Sequence, residues 1–277
     1  MKKIFFAAIL LFIFFPVLSF SQEGILIHFI NVGEGDALLI QAGDNNALVD
    51  TGNLLSGYGL VEYLEKNNVK KINYLIISHP HPDHIAGAFF ILPKFQVDRV
   101  CDNGQALNEE DDMERWYKML VRSGENYSVL KKGDKVKLGD VTLDILWPPD
   151  AETNAYNDNS LVIMLKYGKF RCLFTGDLSG DAENKLLASG PALRANILKV
   201  GHHGYRDATS SLFLDAVSPE TAVISTGLSN RIGAPSEEVL NLLDTRRIKV
   251  YRTDRDDNII IRLNKQNYYT IETRQEK

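Results

Sequence analysis

The stretch Ser78-His79-Pro80-His81-Pro82-Asp83-His84 follows directly on the apolar run Tyr74-Leu75-Ile76-Ile77. Imidazoles and a carboxylate are the side chains that hold divalent metals, and His79, His81, Asp83 and His84 stand close enough to feed two adjacent ions. An apolar run that breaks into a polar loop predicts a strand over 71–78 with chemistry at its tip, where rigid scaffolds commonly place functional side chains. The segment therefore points to metal-dependent hydrolysis.

Working outward, other polar clusters also interrupt strand-like runs. They are Asp50-Thr51-Gly52, Thr175-Gly176-Asp177 and Val200-Gly201-His202-His203-Gly204. Of the six histidines in the chain, five fall in the 79–84 and 202–203 clusters, a concentration that scattered surface or core histidines would not produce. Taken alone, Asp177 could cap a following helix, and His202-His203 could be a polar turn between two glycines. Taken together, the clusters supply enough nitrogen and oxygen donors for two ions.

The intervening sequence alternates strand and helix signals with no long linker, repeat or low-complexity tract. Short β-rich runs are expected at 25–30, 37–41 and 46–50, followed by a helix over 59–67 whose Leu60, Val61 and Leu64 share a face. A second helix is expected over 109–122, with Met113, Trp116, Tyr117 and Leu120 as a core stripe. Further strands are expected at 141–147, 161–167, 170–174, 221–225, 249–251, 258–263 and 268–272, with a helix and then a strand between 174 and 210 and helices over 210–217 and 236–243. Alternation of this kind predicts a layered α/β architecture.

Composition sets outer bounds. The chain has 277 residues, 44% hydrophobic and 24% charged, with a formal charge of −5. Lys2-Lys3, an apolar core over 4–18 and small residues at Ser19 and Ser21 describe a secretory signal over 1–21, leaving a domain over 22–277 and an exported, periplasmic or extracellular protein. The apolar run is short for a bilayer span and no lipidation cysteine follows it, so the mature chain is expected to hold no stable membrane association. Removing Lys2 and Lys3 takes the charge from −5 to −7, which argues against a broad grip on nucleic acid. The local groups Lys131, Lys132, Lys135, Lys137 and Arg246, Arg247, Lys249, Arg252, Arg255 read as solvated faces. Cys101 and Cys172 lie in apolar runs without a C-x-x-C spacing. Export permits a disulfide between them, and two buried thiols are the alternative.

The pattern H-x-H-x-D-H at His79, His81, Asp83 and His84 resembles that of the metallo-β-lactamase fold superfamily. The likeness is closer to the extracellular hydrolase domain of the DNA-uptake protein ComEC and its free-standing relatives. It is carried by the segments from His28 to Asp36, Val49 to Gly52, His79 to His84, Asn157 to Val162, Leu173 to Asp177, Lys199 to Gly204 and Asn230 to Ser236.

This resemblance implies a four-layer αβ/βα sandwich with two divalent ions, zinc or manganese, at one edge. It implies that His79 and His81 bind one ion, that Asp83 and His84 bind the other, and that Asp177 bridges them. His203 is the favoured last ligand, with His202 as the alternative. The other of the pair would face substrate as general acid, and Asp83 could orient the attacking hydroxide.

A phosphodiester, in nucleic acid or a nucleotide, is the expected substrate, and no protein partner is implied. Lactam or other acyl hydrolysis and a metal-stabilised binding module without turnover are the alternatives. Three departures stand out. Asn31 replaces an aspartate and is expected to weaken support of the ligands, Ala234 stands where relatives often carry histidine, and only Asn157, Asp158 and Asn159 stand where β-lactamases place a further histidine ligand.

Overall fold

In the computed structural model, which describes residues 24–108, 110–151, 155–228 and 233–273, the alternating signals become two β-sheets packed face to face. The first half runs β1 (Ile25–Phe29), β2 (Leu38–Ala42), β3 (Asn45–Val49), α1 (Gly57–Lys66), β4 (Lys71–Ile76), α2 (Pro82–Ile85), α3 (Ala88–Ile91), β5 (Gln96–Asp102), α4 (Asp112–Tyr117) and β6 (Tyr127–Val129). The second half runs β7 (Lys135–Leu138), β8 (Val141–Trp147), β9 (Val162–Tyr167), β10 (Phe170–Phe174), α5 (Gly180–Ala188), β11 (Ile197–Lys199), α6 (Ser211–Val217), β12 (Thr221–Ile224), α7 (Glu237–Thr245), β13 (Lys249–Arg252) and α8 (Thr253–Asp256). Then β14 (Ile259–Leu263) and β15 (Tyr269–Thr273) return to the first sheet.

The sheets have the orders β15-β14-β1-β2-β3-β4-β5-β6 and β13-β12-β11-β10-β9-β8-β7. Each is assembled the same way. Antiparallel hairpins come first, β1-β2-β3 and β7-β8-β9-β10, and parallel neighbours follow, β3-β4-β5-β6 and β10-β11-β12-β13. Parallel neighbours require crossovers, and most of the helices lie in them.

Strand periodicity of two distributes the apolar side chains into three cores. Leu38, Ile40, Ala47 and Val49 point inward with Phe29 to meet Ile163, Leu165, Cys172 and Phe174 of the opposite sheet. Their neighbours Leu39 and Leu48 point outward with Ile72 and Leu75, against Leu60 and Leu64 of α1. On the far side Met164, Leu173, Leu198 and Ala222 meet Leu186 of α5, Phe213 of α6 and Leu243 of α7. The result is the four-layer αβ/βα sandwich, and burial on both faces accounts for strands that read as unbroken apolar runs. Each such Leu, Ile or Phe contributes about 1.5–3 kcal/mol on leaving water.

Several local expectations need correction. The 109–122 helix is split: α4 ends at Tyr117 and a π-turn covers Lys118–Arg122. The wider turn shifts the phase, so Val121 is buried while Leu120 is 56% exposed. Part of the 79–84 loop is helical, because Pro82 fits the first position of α2, where its missing N–H is no loss. Strands β5, β6 and β7 were not among the expected runs. In β7, Val136 and Leu138 are buried while Lys135 and Lys137 stay exposed, a pattern that blunts a sheet edge.

Cys101 and Cys172 are both buried free thiols. The basic groups are partly ion-paired, with Arg252 on Asp254 at 2.6 Å and Arg246 on Asp215 at 2.9 Å. The 1–21 leader and Asn230, Arg231 and Ile232 of the last motif lie outside the described residues. Among those described, no helix is long and apolar enough to cross a membrane.

Candidate metal centre

The polar clusters leave the carboxyl ends of parallel strands at one edge of the sandwich, the usual place for ligands in open α/β sheets. Asp50 follows β3, the histidine segment follows β4, Asp177 follows β10, and His202-His203 follow β11. Asp83 and His84 sit on the first turn of α2, whose backbone is pressed against the loop after β1. Gly35, at φ +116°, makes this possible, since a Cβ there would lie 2.2 Å from the Asp83 carbonyl oxygen.

Six predicted ligands converge. His79 Nε2 lies 3.0 Å from His81 Nδ1. Asp177 Oδ2 faces three imidazoles, at 3.8 Å from His79 Nε2, 3.3 Å from His84 Nε2 and 3.5 Å from His203 Nε2. Asp83 Oδ2 lies 3.7 Å from His84 Nε2 and 3.3 Å from His203 Nε2.

Among the described residues three groups of donors lie close enough to hold a cation: His79, His81 and Asp177 on one side, Asp83, His84, Asp177 and His203 on the other, and behind them Asp36, Asp50 and His84, where Asp36 is already paired with Lys199 and Asp50 with His84. The donor set fits divalent ions on a second count. His203 Nε2 is buried without a hydrogen-bond partner and faces Asp83 and Asp177, an expensive condition unless a ligand satisfies it. Mixed imidazole and carboxylate donors suit zinc or manganese.

The surrounding side chains orient these donors. Asp50 accepts hydrogen bonds from Ser78 N at 2.7 Å and Ser78 Oγ at 2.8 Å, and its Oδ2 lies 2.9 Å from His84 Nδ1, which turns His84 Nε2 into the site. His203 Nδ1 donates to the Ser225 carbonyl at 2.9 Å, leaving Nε2 free inward. Ser160 Oγ accepts from the Asp177 amide at 3.1 Å and lies 3.3 Å from His79 Nδ1. Lys199, fully buried, pairs with buried Asp36 and donates to the Gly176 carbonyl at 3.0 Å.

Charge is distributed unevenly. Burial, together with the charge on His84, holds His79 and His81 below the ordinary histidine range, so both are neutral donors. Burial opposes the charge of His84, but Asp177, Asp50 and Asp83 outweigh it and raise its pKa well above that range. Against the same opposition from burial, Asp177 and Asp83 push His203 up to about 10. Asp177 and Asp83 are correspondingly held below the usual carboxylate range despite burial. Lys199 stays above the ordinary lysine value because Asp36 and Asp177 outweigh desolvation.

The His202-His203 pair is separated by backbone conformation. Both residues are left-handed, with φ of 45° and 55°, a state costing roughly 1–2 kcal/mol per non-glycine residue. His203 turns inward and is buried, while His202 is only partly buried, with Nε2 3.2 Å from Asn157 Nδ2 and Nδ1 3.5 Å from Asp207. His202 belongs to none of the cation-holding groups. Asp177 does not cap α5, which begins at Gly180 after Ser179.

Asn31 is exposed, accepting from Gly33 N at 3.1 Å and donating to Asp257 at 3.2 Å. Ala234 is buried, and its neighbour Pro235 packs against Gly204 beside the histidine pair. Sequence reasoning did not single out Asp36, Ser160 or Lys199 as parts of the site. All three sit inside the segments that carry the resemblance, but no signal assigns Lys199 a role beyond its being a charge that ends the apolar strand Ile197-Leu198-Lys199.

Comparison with known proteins agrees with the fold. The family model described as the metallo-beta-lactamase superfamily matches residues 30–227. The chain is 31% identical to ComE operon protein 3 of Bacillus subtilis over 90% of its own length and 34% of that protein's. It is 29% identical to competence protein ComA of Neisseria gonorrhoeae over 81% of its length and 30% of that protein's. It thus spans about a third of these curated relatives. The metallo-beta-lactamase fold protein YhfI of Bacillus subtilis superposes with a TM-score of 0.53 at 14% identity, covering 83% of this chain and 96% of the other.

Proposed function

Since this chain belongs to the metallo-beta-lactamase superfamily, whose members are mostly metal-dependent hydrolases, we propose that it is an exported metal-dependent phosphodiester hydrolase acting on nucleic acid or nucleotides. One observation carries the reading: Asp177 is shared by two groups of mostly buried donors, with His202, which belongs to neither of them, beside them and only half-buried. Divalent ions, zinc or manganese, held by His79, His81 and Asp177 and by Asp83, His84, Asp177 and His203, would supply Lewis acidity and a water acidic enough to ionise near neutral pH.

The remaining work falls to the chain's own side chains. Asp83 Oδ2, directed into the site between His84 and His203, orients the attacking water. His202, whose Nε2 accepts from Asn157, gives the proton on its Nδ1 to the leaving oxygen. The inward face of His203 favours it as the ligand and leaves His202 for substrate. The names of the relatives tie those proteins to competence, which supports a nucleic-acid substrate, and the leader-like N-terminal sequence supports export.

The test is turnover of bis-p-nitrophenyl phosphate, single-stranded DNA and nitrocefin by zinc- or manganese-loaded protein beside a His81→Ala variant. Metal-dependent phosphodiester cleavage that the variant loses is the expected result. Nitrocefin turnover alone would replace the proposal with acyl hydrolysis, and no turnover with two bound ions would replace it with a binding module.

A further inference from the structure

Lys199 is fully buried in the wall of the candidate metal centre, and the reading above gives it no role. Its ammonium has three N–H groups to place. One is donated to the Gly176 carbonyl at 3.0 Å, and the charge is answered by an ion pair with the carboxylate of Asp36, itself fully buried. The ammonium also faces Asp177 Oδ1 across 3.9 Å, and that oxygen has no hydrogen-bond partner. The other oxygen, Oδ2, is the one that faces His79, His84 and His203. The two oxygens of the shared carboxylate therefore look in opposite directions, one toward a resident cation and one toward the imidazoles.

Gly176 adds a second constraint. At φ +50° it makes the turn between β10 and Asp177, and a Cβ there would lie 2.9 Å from Ser160 Cβ. The lysine thus holds the backbone just before Asp177 as well as attracting its side chain. Asp36, which answers the lysine's charge, ends the Asn31 to Asp36 segment whose Gly35 supports Asp83. The pair consequently links the segment under Asp83 to the strand end that bears Asp177.

The geometry points to Lys199 as a positioning residue: with Asp36 as counter-ion, it fixes the carboxylate of Asp177 so that Oδ2 is presented to both of the cation-holding groups that contain it. This rests on the reading of the site as a two-metal centre.

The test is zinc stoichiometry and affinity, measured by competition with a chromophoric chelator, for the parent chain and for Lys199→Met, Asp36→Asn and the double variant carrying both changes. Folding of each is checked by circular dichroism. The double variant removes both charges together, and Asp36→Asn is nearly isosteric, so the outcome does not depend on a buried carboxylate left unpaired. The parent is expected to take up two ions, and every folded variant to bind zinc more weakly by about 10–100-fold, the usual effect of losing ligand support.

A folded double or Asp36→Asn variant that keeps parental affinity overturns the role of Lys199 and leaves the metal centre standing. A parent that takes up no zinc overturns the metal centre itself. Affinity of the folded protein is a readout that a merely structural ion pair would not move.

Discussion

At the scale of single residues, the site prepares two kinds of histidine. His79 and His81 are neutral in the metal-free protein, whereas His84 and His203 hold protons stabilised by Asp50, Asp83 and Asp177. A cation can use His84 and His203 only after displacing those protons, so uptake near pH 7 should release about two of them, and affinity should rise with pH. Calorimetric titration with zinc in buffers of different ionisation enthalpy checks this, and an absence of proton release would sink it. His28 offers an independent pH effect away from the site. It is 1% exposed, its Nδ1 lies 2.8 Å from the Tyr63 hydroxyl, and burial lowers its pKa to about 4. A folded-state pKa below the unfolded one means that the unfolded chain binds the extra proton. The stability is therefore present above pH 6.5 and is lost as pH falls toward 4, by about 2 kcal/mol at pH 5. In urea melts, His28→Gln should lose about that much less than the parent between pH 7 and pH 5, and equal losses would contradict the assignment.

At the scale of elements, the question is why short segments take the shapes that aim these side chains. The loop after β1 must pass so close to α2 that only a hydrogen fits at Gly35. Gly35→Ala should cost roughly 1–3 kcal/mol and weaken zinc binding, because the displaced neighbour is the backbone of Asp83. Gly59 in α1 meets nothing within 4 Å where a Cβ would stand, so Gly59→Ala should stabilise by about 0.5–1 kcal/mol. Opposite shifts in the two thermal melts are expected, and shifts of the same sign would count against the close-approach argument. These elements also show where sequence is legible. Strand ends announced themselves because apolar runs stop at polar clusters, and His79, His81, Asp83, His84, Asp177 and His203 were all readable in that way. The π-turn at Lys118–Arg122 was not, because one extra residue per turn leaves composition unchanged and alters only which of Leu120 and Val121 is buried. Lys199 was hidden for a related reason: its partner Asp36 is 163 positions away, and a lysine closing a strand looks like an edge charge until the fold surrounds it with carboxylates.

At the scale of the whole molecule, the candidate centre lies across the seam of the sandwich. His79, His81, Asp83 and His84 follow β4 of the first sheet, while Asp177 and His203 follow β10 and β11 of the second. Each of the two groups that share Asp177 draws donors from both sheets, so an ion bound there would join two layers otherwise held mainly by the apolar core between them. The unfolded chain brings these residues together only at a large entropic cost, because Asp83 and Asp177 are separated by 93 residues and a loop closure must precede any shared ion. Binding to the folded state alone adds RT ln(1 + [L]/Kd), about 2.7 kcal/mol for each ion held at a hundredfold excess over its Kd. For a chain of this size, each such contribution is worth roughly 5–11 °C in the unfolding midpoint. Scanning calorimetry of zinc-loaded protein before and after chelation should show a fall of at least that size. His81→Ala should retain part of the zinc-dependent increment, since the group formed by Asp83, His84, Asp177 and His203 remains, whereas Asp177→Ala should abolish most of it by removing the donor common to both groups. Equal residual increments in the two variants would mean that the ions do not share Asp177, and an unchanged midpoint on chelation would mean that no ion spans the sheets.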